Sequence, residues 1–488
     1  LIRSASGRPQ NPERHGHVLY RIGRSFFEDH PSLLDGPVGS LARRVPLWVR
    51  HGSEYRRIRR LLRQSQWWSR EQLEAYQLRR LRETLAHAYA ASPYYRDRFT
   101  RAGVEPRDLR TLDDIRHFPT LCKEDVRENL QSIVPARFQK QPLMKLVTGG
   151  TTGSGLVIPV EERFRNRERG FVWHLWEGVG YRPSDLAVIL RNRKCPPEIN
   201  DGFWYRDRLS NAIILSAQRL GPDTIGKYLE AIEAHRPSVL IAYPSLAHLL
   251  VTYARDAGWK QNPFKLVLLA SETLYDFQRR ELEEGLGAPV RTLYGHVEGC
   301  ALFGYCDQSS EYHIQPEYGL VEILRKDGTP ARPGEAGEII ATNFENRALP
   351  LVRYRTGDLA EPSDKLCSCG RQYPLVEKIY GREGDYIRTP SGKAHSPTVI
   401  EFCMDEVLLE GHEGFSDLQI VQDRLDEILV RMVPGKRFTR DGLHRLCTLL
   451  AEQLDHECVV RSEIVDEIPR TARHKKLLVL SRLEPAHR

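Results

Sequence analysis

Between residues 186 and 294 the chain repeats one pattern, a short apolar run followed by a stretch of helical character. The runs are Leu186–Leu190, Ala212–Leu215, Ser238–Ala242, Leu266–Ala270 and Val290–Tyr294. Between them, Asp223–His235, Ser245–Ala257 and Tyr275–Leu286 read as helices. Strands apolar at nearly every position are buried on both faces, and strand–helix alternation makes neighbouring strands parallel. The pattern predicts a doubly wound, mainly parallel α/β sheet. Ligands of such sheets sit beyond the carboxyl ends of the strands. Ser271 and Glu272 follow one predicted strand; Gly295, His296 and Glu298 follow another. Both groups are expected at a cleft.

Upstream of the sheet, Val147–Pro159 reads V-T-G-G-T-T-G-S-G-L-V-I-P. Glycine allows positive φ and close approach of backbone to a ligand. Free backbone N–H groups and hydroxyls can then surround an anion, which makes a polyphosphate the expected ligand. Thr148, Gly149, Gly150, Thr151, Thr152, Gly153 and Ser154 are the candidate cradle. The common P-loop needs Gly-Lys-Ser/Thr, but Leu156 follows Gly155 here. A glycine-rich hairpin turn uses the same residue types and is the alternative reading.

Residues 1–65 are Arg-rich with weak periodicity and read as a partly helical extension wrapping the core. Ser69 and Gln72 have capping-box spacing ahead of a helix carrying Leu78, Leu81, Leu85, Ala88 and Tyr89. Beyond Glu298, Gly319–Leu324 and Gly337–Phe344 read as β, followed by a polar, turn-rich Arg353–Asp358. Gly381-Arg382-Glu383-Gly384-Asp385 reads as a hinge. The last hundred or so residues suit a small α+β domain. The expected organisation is a large N-terminal domain over 1–380, with a β subdomain, and a small mobile C-terminal α+β domain over 386–488.

Composition narrows the function classes. Charged content of 28% and hydrophobic content of 40% are those of a globular protein, and no run is long enough for a membrane span. Residues 1–16 lack an apolar core, so no secretory leader is expected and the expected compartment is cytoplasmic. The net charge of +7 is widely spread and lacks aromatic interleaving, which argues against a nucleic-acid partner. Nine irregularly spaced cysteines in a long chain fit reduced thiols and a metal, not a disulfide framework.

As a set, the motifs resemble the adenylate-forming superfamily of acyl-CoA synthetases, and within it the phenylacetate–CoA ligase family and its CapK-type branch. T-G-G-T-T-G-S-G resembles the phosphate loop, Y-G-H-V-E the Tyr-Gly-x-x-Glu motif, Y-R-T-G-D the Tyr-x-Thr-Gly-Asp motif and G-R-E-G-D the hinge. The resemblance runs from about Trp67 to Leu483. It implies that ATP adenylates a small carboxylic acid, releasing pyrophosphate, and that the acyl group then passes to coenzyme A, or to an amine or hydroxyl. It implies Thr148 to Ser154 around the phosphates, with Thr152 catalytic, and Glu298 on Mg²⁺. Asp358 would hold the ribose; Ser271, Glu272, Tyr294, Gly295 and His296 would line the nucleotide site; Arg382 would lie at the domain junction. Lys475 would orient the carboxylate, with Lys476 the alternative. Val297 and His474 depart from the pattern and leave open a nucleotide-binding scaffold without catalysis. Trp173, His174, Trp176, Phe203, Trp204 and Tyr243 are candidates for an acyl pocket; no cation stands out as partner for a charged substrate tail.

Cys306 and His313 flank D-Q-S-S-E-Y, and Cys367 and Cys369 follow some fifty residues later. Three thiolates and one imidazole are a common structural Zn²⁺ set. The β region between Gly319 and Phe344 is expected to bring them together, within about 4 Å of one another.

Overall fold

The computed structural model describes residues 37–148, 156–191, 193, 195–221, 223–272, 274, 276–381, 387–395, 398–412, 415–434, 438–466, 468, 479–481 and 483. The sequence-expected hinge residues 382–385 and Lys475 fall outside this set.

Helix α1 (Leu47–Ser65) lies in the Arg-rich N-terminal stretch and buries Tyr55, Ile58 and Leu62. Helix α2 (Arg70–Ala91) starts where the capping box places it: the Gln72 N–H donates to Ser69 Oγ (3.3 Å) and the Ser69 N–H to Gln72 Oε1 (3.0 Å). A hairpin of β1 (Met144–Val147) and β2 (Val157–Val160) follows, then helix α3 (Glu162–Gly178).

The next strands are β3 (Ala187–Arg191), β4 (Trp204–Asp207), β5 (Ala212–Ser216), β6 (Val239–Ala242), β7 (Leu266–Ala270) and β8 (Val290–Gly295). Helices α4 (Ile225–His235), α5 (Pro244–Asp256) and α6 (Asp276–Leu286) connect the later ones. Strands β5, β3, β6, β7 and β8 are parallel neighbours in that order. Because side chains alternate across a strand, Val188, Leu190, Ile213 and Leu240 pack with α4 and α5 on one face. Ala187, Ile214, Ile241 and Leu268 pack towards Trp173 and Trp176 of α3 on the other. Every position of β5 and β7 is buried, as two-sided coverage requires.

The chain then builds β9 (Leu302–Gly304), β10 (Tyr312–Ile314), β11 (Gly319–Leu324), β12 (Gly337–Asn343), β13 (Tyr354–Ser363) and β14 (Leu375–Gly381). These six are antiparallel and continue the same sheet, joined through β8 and β9, so the β subdomain shares one twelve-stranded sheet with the parallel half. Two local expectations change. Strand β4 is an unpredicted antiparallel edge on β5. The segment read as turn-rich, Arg353–Asp358, lies largely inside β13, because a register shift opposite Glu338 and Ile340 absorbs the positive φ of Gly357 (78°).

Downstream lie the short pair β15 (Ile387–Arg388) and β16 (Ala394–His395), helix α7 (Thr398–Leu409), β17 (Phe415–Arg424), β18 (Glu427–Pro434), helix α8 (Arg440–Gln453), β19 (Val459–Ile464) and β20 (Val479–Ser481). The sheet order is β19-β18-β17-β20, and Ile400, Val407, Ile420, Val430, Leu446 and Leu450 form a core of their own. No helix of the described residues is long and apolar enough to cross a membrane.

One carboxylate ties the N-terminal helices to the sheet. Glu345, 2% exposed, meets Arg80 (3.1 Å) from α2 and Arg167 (3.0 Å) from α3. Arg57 of α1 reaches the same group at 3.5 Å but is half exposed, so the two buried guanidiniums carry most of the interaction. Without Glu345, Arg167 keeps Glu54 (3.2 Å) and Arg80 keeps Glu83 (3.4 Å), but both lose their most buried partner. Glu345→Ala is therefore expected to lower unfolding free energy by roughly 1–3 kcal/mol in urea titrations.

Candidate active site

The five parallel strands end on one edge of the sheet, and Tyr294, Glu298 and Asp358 collect there. Tyr294 closes β8, and its phenol donates to Asp358 Oδ2 at 2.8 Å across the sheet from β13. Its ring packs on Phe303 with centroids 4.9 Å apart. Burial, and the Asp358 charge beside it, push the phenol well above its ordinary pKa, so it stays a donor. Asp358 is fixed by its own strand: its N–H donates to Thr356 Oγ1 (3.1 Å), whose hydroxyl donates to the Ile339 carbonyl (2.9 Å).

Glu298 follows β8 in a tight reversal. Gly299 sits at φ 68°, and a Cβ there would lie 2.5 Å from Phe164 Cζ, so only glycine fits. The reversal buries the Glu298 carboxylate. Tyr354 OH of β13 donates to Oε1 at 2.9 Å, and His296 Nδ1 pairs with Oε2 at 3.1 Å. Burial alone raises a carboxyl pKa, but the hydrogen bonds and charge of His296, with Tyr354, outweigh it and hold Glu298 near about 2. Each carboxylate oxygen accepts one bond and keeps a second lone pair. An ionised, oriented, buried carboxylate fits Mg²⁺, which binds through one or two carboxylates and substrate phosphates.

Ser271, at the end of β7, adopts φ 76°, a conformation rare for a residue with a side chain. Glu272 lies beside it, half-buried. Thr148 closes the hairpin below the glycine-rich loop: its N–H donates to the Leu156 carbonyl (3.0 Å), and the Leu156 N–H to Thr148 Oγ1 (2.8 Å). Gly149, Gly150, Thr151, Thr152, Gly153, Ser154 and Arg382 lie outside the described residues, as does Lys475. Most of the aromatic candidates are packing residues. Trp173 stacks on Tyr181, and Trp176 meets Tyr181, Phe203 meets Tyr228 and Trp204 meets His235 edge to face. Tyr243 follows β6 at the ligand edge. The sequence reading did not assign Tyr354 a role; its place in the Y-R-T-G-D motif was the available signal.

The cysteines and histidine converge. The ligand atoms of Cys306, His313, Cys367 and Cys369 all lie within 4.8 Å of one another, somewhat looser than the expected 4 Å. Cys306 Sγ is 3.5 Å from Cys367 Sγ, and Cys369 Sγ is 3.6 Å from His313 Nε2. Tetrahedral bonds of about 2.3 Å set sulfurs about 3.7 Å apart, so the set fits zinc. Burial pulls His313 down to about 4, which keeps the imidazole neutral and able to ligate. The expected bridge was the β11–β12 region. Instead, Cys306 follows β9, His313 lies in β10, and both other cysteines lie in the β13–β14 connection, joined by the pairing of β10 with β9 and β14. Arg371, two residues on, bonds Gln66 Oε1 (3.1 Å) and stacks on Trp67 (5.1 Å), tying the cluster to the end of α1.

Tyr354→Phe removes one donor from the buried Glu298 and is expected to cost about 1–3 kcal/mol at pH 7 by urea unfolding. A depressed carboxylate pKa contributes stability above its ordinary value of 4.5, lost as pH falls towards about 2. The gap between wild type and variant should therefore narrow on acidification through that window; a constant gap would assign the loss to packing instead.

Residues 391–482 match the family model of the CapK C-terminal domain. Over 381 residues the chain is 27% identical to a phenylacetate-coenzyme A ligase of Thermus thermophilus, spanning 76% of this chain and 84% of the relative. It is 24% identical over 383 residues to protein CapK of Staphylococcus aureus, spanning 77% of this chain and 82% of CapK. A solved structure of 2-hydroxyisobutyryl-CoA ligase in complex with 2-HIB-AMP and CoA superposes with a TM-score of 0.57 at 20% identity, covering 85% of this chain and 91% of that one. That likeness establishes a shared fold. Motif order, sheet topology and relatives agree in one likeness: the chain is similar to the phenylacetate–coenzyme A ligases and to CapK, and it shares the fold of a solved acyl-CoA ligase.

Proposed function

We propose that this protein is an adenylate-forming ligase. It joins a carboxylic acid to the α-phosphate of ATP, releases pyrophosphate, and passes the acyl group of the acyl-AMP to a thiol, coenzyme A being the acceptor. The observation that carries the reading is the pairing of Tyr294 with Asp358 beside the buried, ionised Glu298, all at the carboxyl edge of the parallel strands. Asp358 is the acceptor for ribose hydroxyls, its carboxylate held in place by Tyr294. Glu298 holds Mg²⁺, which neutralises phosphate charge when bound. His296 and Tyr354 keep that carboxylate ionised and aimed. The glycine-rich loop carried by β1 and β2 cradles the phosphates, with Thr152 at the departing group. Lys475, from the small C-terminal unit, meets the reacting carboxylate, and residues 381–385 are the pivot that brings it there. Positioned donors that act on charge as it develops are the main source of rate in such reactions.

The test is pyrophosphate release with ATP over a panel of acids, with coenzyme A or amines as acceptors. The expected result is acid-dependent release, with the acyl group recovered on coenzyme A. Recovery on an amine alone would reassign the acceptor, and no release with any acid would leave a nucleotide-binding scaffold. Lys475→Ala should cut release by roughly a hundredfold or more while retaining ATP binding, because it removes an interaction made chiefly in the transition state.

We infer further that the Cys306, His313, Cys367 and Cys369 cluster holds a structural zinc. Four protein ligands leave no open position for water, so the metal joins the β9–β10 strands to the β13–β14 connection without taking part in chemistry. Metal analysis should return about one zinc per chain. Cys367→Ser should lose the zinc and lower the melting temperature; unchanged metal content in that variant would refute the site.

A further inference from the structure

At the ligand edge a half-buried cation lies apart from any acidic partner among the described residues. Arg191 is the last residue of β3, between β5 and β6 in the centre of the parallel half. Its guanidinium lies over the Tyr243 ring, 5.8 Å from the centroid, and its Nε is buried with no hydrogen-bond partner. Several other arginines packed into this unit meet a carboxylate, while Arg279, which has none among the described residues, bonds the Tyr305 hydroxyl instead. Arg59 faces Glu177, Arg80 and Arg167 face Glu345, and Arg353 faces Glu322 at 2.9 Å. The next described cation along the chain, Arg193, is drawn aside by Asp207 at 3.6 Å. Burial pulls Arg191 below the usual arginine range, the mark of a guanidinium taken from water without a countercharge. Such a group is costly unless something supplies the missing anion. Arg191 stands where substrates of parallel sheets bind, on the same edge as Ser271 and Tyr294. Three strand spacings separate β3 from β8, about 14 Å, so a group bound at Arg191 is remote from the nucleotide site.

We propose that Arg191 is a specificity residue that binds a second anionic group on the acid substrate, distant from the carboxylate that is activated. The substrate class is then a dicarboxylic acid, or an acid with an equivalent anionic tail, with Tyr243 supporting the guanidinium from its ring face. This inference rests on the ligase reading above. It supplies the partner for a charged tail that the sequence alone did not single out.

The test compares matched mono- and dicarboxylic acids of equal chain length in the pyrophosphate-release assay, using wild type, Arg191→Met and Arg191→Lys. Wild type should favour the diacids. Arg191→Met should raise KM for diacids by on the order of tenfold or more, leaving KM for monoacids, ATP and coenzyme A within about twofold. Arg191→Lys should recover part of the preference, which a purely structural role would not predict. Protection of wild type by diacids over monoacids in thermal shift, without ATP turnover, covers the case of a poorly folding variant. Monoacids adenylated as well as diacids, or a preference unchanged in Arg191→Met, overturns the inference and leaves the ligase reading intact. A change confined to ATP or coenzyme A assigns Arg191 to a phosphate and overturns it too. No adenylation of any acid overturns both.

Discussion

The hydrogen bond from Tyr354 to Glu298 joins the two halves of the sheet at the point where chemistry is placed. Glu298 comes from the reversal that ends the parallel half, and Tyr354 opens a strand of the antiparallel half. A buried carboxylate left to itself would take up a proton. Held from both sides by Tyr354 and His296, it stays charged. The second cross-sheet bond, Tyr294 to Asp358, repeats the arrangement between the same two strands' ends. Both depend on β8 and β13 keeping their places in one continuous sheet, which is why the antiparallel strands are part of the site's frame.

The same logic governs charge elsewhere in the large unit. Buried arginines are tolerated where a carboxylate meets them, as at Glu345 and Glu322. Those clusters fix helices to the sheet. Arg191 is outside that pattern, and a ligand is the partner that restores it. The Cys306, His313, Cys367 and Cys369 set follows a related rule. Without a cation, burial pushes the Cys306 thiol up to about 12, whereas a bound metal takes the deprotonated thiolate.

Much of this was legible in the sequence. Unbroken apolar runs placed β3, β5, β6, β7 and β8 to within a residue or two, because two-sided burial leaves no other composition. The Ser69–Gln72 capping box located the start of α2. The strand end placed Glu298 at a cleft, the family resemblance added Tyr294 and Asp358, and cysteine spacing found the four metal candidates. What could not be read depends on pairing between distant segments. The Arg353–Asp358 stretch looks like a turn until a bulge against Glu338 and Ile340 absorbs Gly357. Strand β4 is short, polar in part and an edge, so it carries little apolar pattern. Arg191 reads as an ordinary charged residue after an apolar run; its lack of a partner appears only once its neighbours are in place.

In the proposed reaction an oxygen of the acid bonds to the α-phosphorus of ATP. When the thiol attacks the acyl carbon, the carbon–oxygen bond breaks and that oxygen leaves with AMP. Reaction of an acid labelled with oxygen-18 in its carboxylate, with ATP and coenzyme A, followed by mass spectrometry of the nucleotide, tests this directly. The predicted result is a single labelled oxygen in the phosphate of AMP. Unlabelled AMP, or ADP with the label in orthophosphate, would contradict it.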